Sequence, residues 1–164
     1  MISKKVQDAF NEQMNAEFYS SYLYMAMAAY CETQTLRGMA RWLSVQGQEE
    51  WGHGMKFYKH LVERSGRVQL PAIAAPPADY ASSVAVFEAV LGHERKVTAG
   101  IHKLVELAMA EKDYAAGVFL QWFVSEQVEE EANAEEVLAK VKMLAGTPAT
   151  LLMLDAQLGS RKAD

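Results

Sequence analysis

The chain has 164 residues, 51 % of them hydrophobic, which fits one domain spanning 1–164 with a sizeable core and excludes a disordered segment. Sixteen basic against twenty-one acidic residues leave a net charge of −5, so there is no broad cationic field for nucleic acid or an anionic membrane. The lone Cys31 can form neither an internal disulfide nor a paired-Cys zinc site, MISKKVQDAF lacks a secretory apolar run, and no stretch approaches the roughly 18 uncharged residues of a membrane span, so the expectation is a cytoplasmic protein.

Apolar residues recurring at alternating steps of three and four predict four long amphipathic helices and no strands. The first runs from about Ser3 to Thr33 with Val6, Phe10, Met14, Tyr24 and Cys31 on its inner face. The second runs from about Arg37 to Arg64 with Met39, Leu43, Gln46, Phe57 and Leu61. A third is opened by the cap candidates Ser82 and Ser83 and carries Val84, Phe87, Leu91, Thr98, Ile101, Val105 and Ala108. The fourth, from about Asp113 to Leu144, carries Phe119, Phe123, Val137 and Val141, and Gly146 is expected to stop it. Short links favour antiparallel hairpins within each pair, whereas Gly66 to Ala81, with Pro71, Pro76 and Pro77, reads as a long crossover between the ends of a bundle of about 3–145. Thr147 followed by Pro148 then opens a short fifth helix, about 147–159, whose Leu151, Leu152, Leu154 and Leu158 need a cover, either the chain's own bundle or a neighbouring subunit. The fold class is all-α, a four-helix bundle with a crossover between helices two and three.

Acids interrupt the core-facing rhythm at one level. Glu17 lies seven residues from both Phe10 and Tyr24, so all three share a face. Glu50 and His53 fall between Gln46 and Phe57, Glu94 between Leu91 and Thr98, and Glu130 between Phe123 and Val137. Each is near the middle of its helix, so in an antiparallel bundle the side chains converge. An internal repeat agrees: Glu17 precedes Glu50 by thirty-three positions and Glu94 precedes Gln127 by the same interval, pairing Glu50 and His53 with Gln127 and Glu130 at i and i+3. The competing reading, surface acids or members of buried ion pairs, suits any one position. It suits the set less well, because no helix brings Lys or Arg to this level of the seam: Lys56, Arg95 and Lys96 point away. Two carboxylates about 4 Å apart repel by ~4 kcal/mol at an effective dielectric of 20, and a bound dication removes that repulsion.

Carboxylates with one imidazole and no thiolate suit Fe(II) or Mn(II) rather than structural zinc, and bridging acids imply two adjacent ions. Two adjacent redox ions can each give an electron to oxygen, which makes a diiron oxidase the leading chemistry. Tyr24, two turns beyond Glu17, either hydrogen-bonds a liganding carboxylate, donates an electron, or is a core tyrosine with a satisfied hydroxyl.

The constellation Glu17, Tyr24, Glu50 with His53, Glu94, and the run SEQVEEE with Gln127 and Glu130, followed by a short fifth helix, resembles the bacterial-type non-haem ferritins over essentially the whole chain. The resemblance implies a ferroxidase centre with Glu17, Glu50 and His53 on one iron, Glu50, Glu94 and Glu130 on its neighbour, and Gln127 close by. It implies a third iron site from Glu49, Glu126, Glu129 and Glu130. It further implies oxidation of Fe(II) by O2 or H2O2, a homo-oligomeric cage of twenty-four subunits with the fifth helix near the fourfold axes, and Fe(III) stored as mineral inside. Bacterioferritins carry a second Glu-x-x-His pair where this chain has Gln127 and Glu130, and a haem-binding Met where it has Trp51, so no haem is expected. Rubrerythrins need a Cys-rich module, and the miniature DNA-protecting ferritins lack the fifth helix. A diiron oxidase or peroxidase without mineral, and a metal-free helical scaffold, are the alternatives. Outside the seam, His60, seven residues after His53, is read as a satisfied histidine near the bundle end rather than one on the iron's approach, His93 and His102 as facing solvent or a neighbouring chain, the nine Met residues as packing, and Trp122 as near the site without a role.

Overall fold

The computed structural model describes residues 2–162. Five helices follow one another with no strand among the described residues: α1 (Lys4–Thr33), α2 (Arg37–Glu63), α3 (Ser83–Ala110), α4 (Tyr114–Leu144) and α5 (Pro148–Leu158). Four of them start where a short polar side chain can accept from the first free amide. Ser3 accepts from the Val6 N–H, Ser82 from Ala85, Asp113 from Ala116 and Thr147 from Thr150. The exception is α2, whose N-cap Leu36 has no side-chain acceptor.

The helix ends show a difference from the sequence reading. No described glycine has positive φ, and α4 ends with Ala145 at its cap in ordinary right-handed backbone, so Gly146 is not used as a left-handed stop. The left-handed positions are Thr35 (φ 62), Ser65 (φ 55) and Lys112 (φ 53). Each sits in the same double closure of a helix end: Leu36 and Thr35 donate to the carbonyls of Cys31 and Glu32, Gly66 and Ser65 to Leu61 and Val62, and Asp113 and Lys112 to Ala108 and Met109.

Cross-helix pairs fix the directions. Lys5 near the start of α1 meets Glu111 just past the end of α3 at 2.9 Å, and Arg64 at the end of α2 meets Asp113 at the start of α4 at 3.0 Å. Lys142 late in α4 meets Glu88 early in α3 at 2.7 Å. These pairings make α1 antiparallel to α3, α2 to α4 and α3 to α4, with residues 64–82 carrying the chain along the bundle between the hairpins. The core is divided in two. Toward one end, Phe10, Phe57, Ile101, Leu120 and Phe123 pack together, with the Phe57 ring 4.5 Å from Phe123. Toward the other, Met27, Met39, Leu43, Phe87 and Val141 pack with Leu154 and Leu158 of α5. Burying a side chain of the size of Phe or Leu contributes about 1.5–3 kcal/mol, and these two clusters hold the helices together on either side of a polar layer.

The fifth helix packs on α2 and α4 of its own bundle. Its Leu154 and Leu158 face are buried, while Leu152 and Met153 remain 58 % and 74 % exposed. The bundle therefore covers one side of the apolar segment and leaves the other open to a second body.

Candidate metal centre

The layer between the two apolar clusters contains Glu17, Gln46, Glu50, His53, Glu94, Gln127 and Glu130, each at most 6 % exposed. Helical spacing places them there: on every helix they stand between residues that belong to one apolar cluster and residues that belong to the other. Close helix approach helps on the α1–α2 side, where Gly54 lies against Phe18 and a Cβ would come within 2.5 Å of its ring.

Two groups of donor atoms come together. Glu17, Glu50 and His53 form one, with ligand atoms all within 4.8 Å of one another, and His53, Glu126 and Glu130 form the other. His53 joins them. Its Nδ1 is 3.3 Å from Glu50 Oε2 and its Nε2 is 3.8 Å from Glu126 Oε1, while its ring packs edge-on against Trp122 at 5.3 Å. Glu94 stands at the side of these groups. It accepts from the Tyr24 hydroxyl and, at 3.3 Å, from the Gln127 amide, which also reaches Thr98 at 3.2 Å. Gln46 donates to Glu130 at 2.7 Å and Gln13 to Glu17 at 2.8 Å.

Glu17 Oε2 and Glu50 Oε2 are buried and accept no well-formed hydrogen bond, although His53 Nδ1 stands 3.3 Å from Glu50 Oε2. A buried anionic oxygen without a donor is costly, and two beside an imidazole are a donor set that fits a hard or borderline dication. The electrostatics agree. Burial, and then the neighbouring Glu50, hold the Glu17 carboxyl well above the usual range. Burial, and then Glu94 and Glu130, do the same to Glu50. Burial raises Glu94, and burial followed by the Glu94 charge brings Glu130 up to about 7. Without a cation these acids hold their protons more tightly than exposed carboxyls do; a dication supplies positive charge in place of those protons.

On the outer side, an open cavity leads from the surface to His53 and Glu130, lined also by Glu49, Trp122, Glu126 and Glu129. Glu49 and Glu129 line it without joining either tight group among the described residues. Glu49 instead meets a cation from the end of the chain: the Arg161 guanidinium donates to it at 2.5 Å and to Gln46 Oε1 at 2.8 Å. Contrary to the expectation that Lys56 points away, α2 brings it to the wall of this cavity over the Trp122 ring, and the segment after α5 adds Arg161. No periodic signal could have found the latter, because Arg161 lies beyond the last helix.

The histidines outside the seam divide. His102 is exposed and His60 stacks on Phe119 at 4.1 Å, its pKa lowered by burial and then by Arg64. His93 corrects the sequence reading: it turns inward, 2.7 Å from Ser20 Oγ and edge-on to Tyr24, and burial with nearby Lys96 lowers its pKa to about 4.

Residues 7–144 match the ferritin-like domain family. The chain belongs to the ferritin family. It is 43 % identical over 161 residues to the bacterial non-haem ferritin of Bacteroides fragilis (strain 638R), covering 98 % of this chain and all of that one. It is 37 % identical over 164 residues to the bacterial non-haem ferritin of Staphylococcus aureus (strain MRSA252), covering 100 % of this chain and 99 % of that one. Among solved structures, the open-pore ferritin of the hyperthermophilic archaeon Archaeoglobus fulgidus superposes with a TM-score of 0.97 at 48 % identity over 99 % of each chain. The ferritin fold thus accounts for the whole described chain, from the crossover to the fifth helix.

Proposed function

We propose that this ferritin-family chain takes Fe(II) as substrate at the buried layer, with Glu17, Glu50 and His53 holding one ion and Glu50, Glu94 and Glu130 its neighbour. Iron storage and ferroxidase activity go with the family, and the carboxylate cluster has the donor chemistry such a site requires. The observation that carries the assignment is the pair of buried oxygens without a well-formed hydrogen bond, Glu17 Oε2 and Glu50 Oε2, beside His53. Gln127 and Tyr24 fix Glu94, and Gln46 fixes Glu130, so the walls of the site are oriented before metal arrives. Glu49, Glu126 and Glu129, with Glu130, form the outer approach, a third site for iron.

In the oxidation, two Fe(II) ions each release one electron. Oxygen taking both, with two protons, leaves as hydrogen peroxide; peroxide taking both, with two protons, leaves as two waters. The chain's part is to hold two cations close together in an apolar surround and to yield protons from its raised carboxyls as they bind. Assembled copies, twenty-four to a hollow shell, then retain Fe(III) as mineral. The exposed Leu152 and Met153 on α5 and the pore-bearing archaeal relative support a self-assembled shell.

Anaerobic Fe(II) titration of the metal-free assembly is expected to saturate at about two tight ions per chain. Glu50→Ala is expected to abolish that tight class and slow Fe(II) oxidation more than about tenfold. Tight binding that survives this substitution would refute the assignment. Light scattering that returned a monomer or dimer would remove the shell while leaving the metal site.

A further inference from the structure

Arg161 is held by four residues. Its carbonyl accepts from Arg41 Nε at 3.3 Å, its guanidinium lies over the Trp42 ring at 4.6 Å, and two of its nitrogens reach Gln46 and Glu49. The pair with Glu49 is sheltered, the two side chains being 21 % and 20 % exposed. A guanidinium keeps its charge at any pH the fold survives. A permanent cation therefore sits on the wall of a cavity otherwise edged by Glu126, Glu129 and Glu130, with Lys56 on the far side over Trp122.

The contact with Gln46 reaches deeper. Because Arg161 donates to Gln46 Oε1, the other end of that amide must face inward, and Gln46 Nε2 donates to Glu130 at 2.7 Å and lies 3.4 Å from Glu50. Rotating the amide would set its N–H groups against the guanidinium. Docking of the C-terminal segment thus engages Glu49 directly and one oxygen of Glu130 through a single intervening side chain.

We propose that Arg161 is a resident counter-cation of the outer cavity, which a divalent metal ion must displace from Glu49 to fill the third site. This rests on the reading of the cavity as an iron approach given above. Metal binding and tail docking then oppose each other, and by linkage each weakens the other by the same factor. The outer site stays weak while the tail is docked, and filling it releases the tail.

The test uses Co(II), redox-stable and coloured, titrated calorimetrically into the full metal-free assembly. In the parent protein the third equivalent is expected to bind more weakly than the first two. In Arg161→Gln it is expected to tighten about tenfold, a larger change than in either of the first two, which Arg161 reaches only through Gln46. Hydrogen exchange on the parent protein gives a second readout that needs no variant: amides of residues 159–162 are expected to exchange faster once the third equivalent is bound, and not at two. An unchanged third equivalent in a correctly assembled Arg161→Gln, or tail exchange indifferent to the third ion, overturns the proposal. Absence of any Glu50-dependent Co(II) binding in the parent overturns the metal-site reading itself, so the two failures are told apart.

Discussion

Asp155 of α5 caps the start of α2 from across the fold. Its two carboxylate oxygens accept from the backbone N–H of Gly38 at 3.0 Å and Met39 at 2.8 Å, supplying the acceptor that Leu36 lacks. An anion at a helix N-terminus is favourable both as a hydrogen-bond acceptor and toward the helix dipole. The approach depends on glycine, since a Cβ on Gly38 would stand 1.6 Å from the Asp155 carbonyl oxygen.

Asp155→Ala is accordingly expected to cost about 1–2 kcal/mol, read as a lower thermal midpoint with α2 still formed by circular dichroism. Gly38→Ala acts on the same joint by collision. Limited proteolysis is expected to cut between α4 and α5 in that variant well before the bundle; equal resistance in variant and parent would contradict the role given to this contact.

Tyr24 donates its hydroxyl to Glu94 inside the bundle, and burial followed by the Glu94 charge keeps its phenol protonated. In Tyr24→Phe the ring packing survives and the donor is lost. The metal-free protein is expected to lose about 1–3 kcal/mol, measured by denaturant unfolding. Binding of two Co(II) ions per chain should persist, because Tyr24 supplies no ligand atom.

The raised carboxyls set the sign of a pH effect. Between the unfolded Glu value of 4.5 and the folded Glu130 value of about 7, the native state binds more protons than the unfolded chain. Stability of the metal-free protein therefore falls as pH rises through this window. Glu17 and Glu50, also shifted up, extend the trend in the same direction. Thermal midpoints of the metal-free assembly are expected to be lower at pH 8 than at pH 7, with Co(II) restoring more stability at pH 8. His93 and His60, both shifted down, pull the other way below about pH 7, so the acids are read between pH 7 and 8, where a midpoint that rises without metal would show that they are not buried as a group.

Lys112 closes α3 at φ 53, where a side chain is strained and glycine is not. Lys112→Gly is expected to raise stability by about 1 kcal/mol, and Gly146→Ala, at an unstrained position, to be neutral or mildly stabilising by chemical denaturation.

The sequence by itself determined the five helices, their starts at Ser3, Ser82, Asp113 and Thr147, and the face on which Glu17, Glu50, His53, Glu94 and Glu130 lie. Those are local properties: a repeat of 3.6 residues fixes a face, and a short polar side chain fixes an end. The shared level of the acids was also legible, because the hairpins are short and the helices nearly equal in length. Only the tertiary structure decided that His53 joins two donor groups, that Gln46 steers Glu130, that His93 turns inward to Ser20, and that Arg161 travels 112 positions along the chain to meet Glu49. Such contacts follow from how the α5 joint and the rigid helices settle against one another, and no periodicity within a helix encodes that placement.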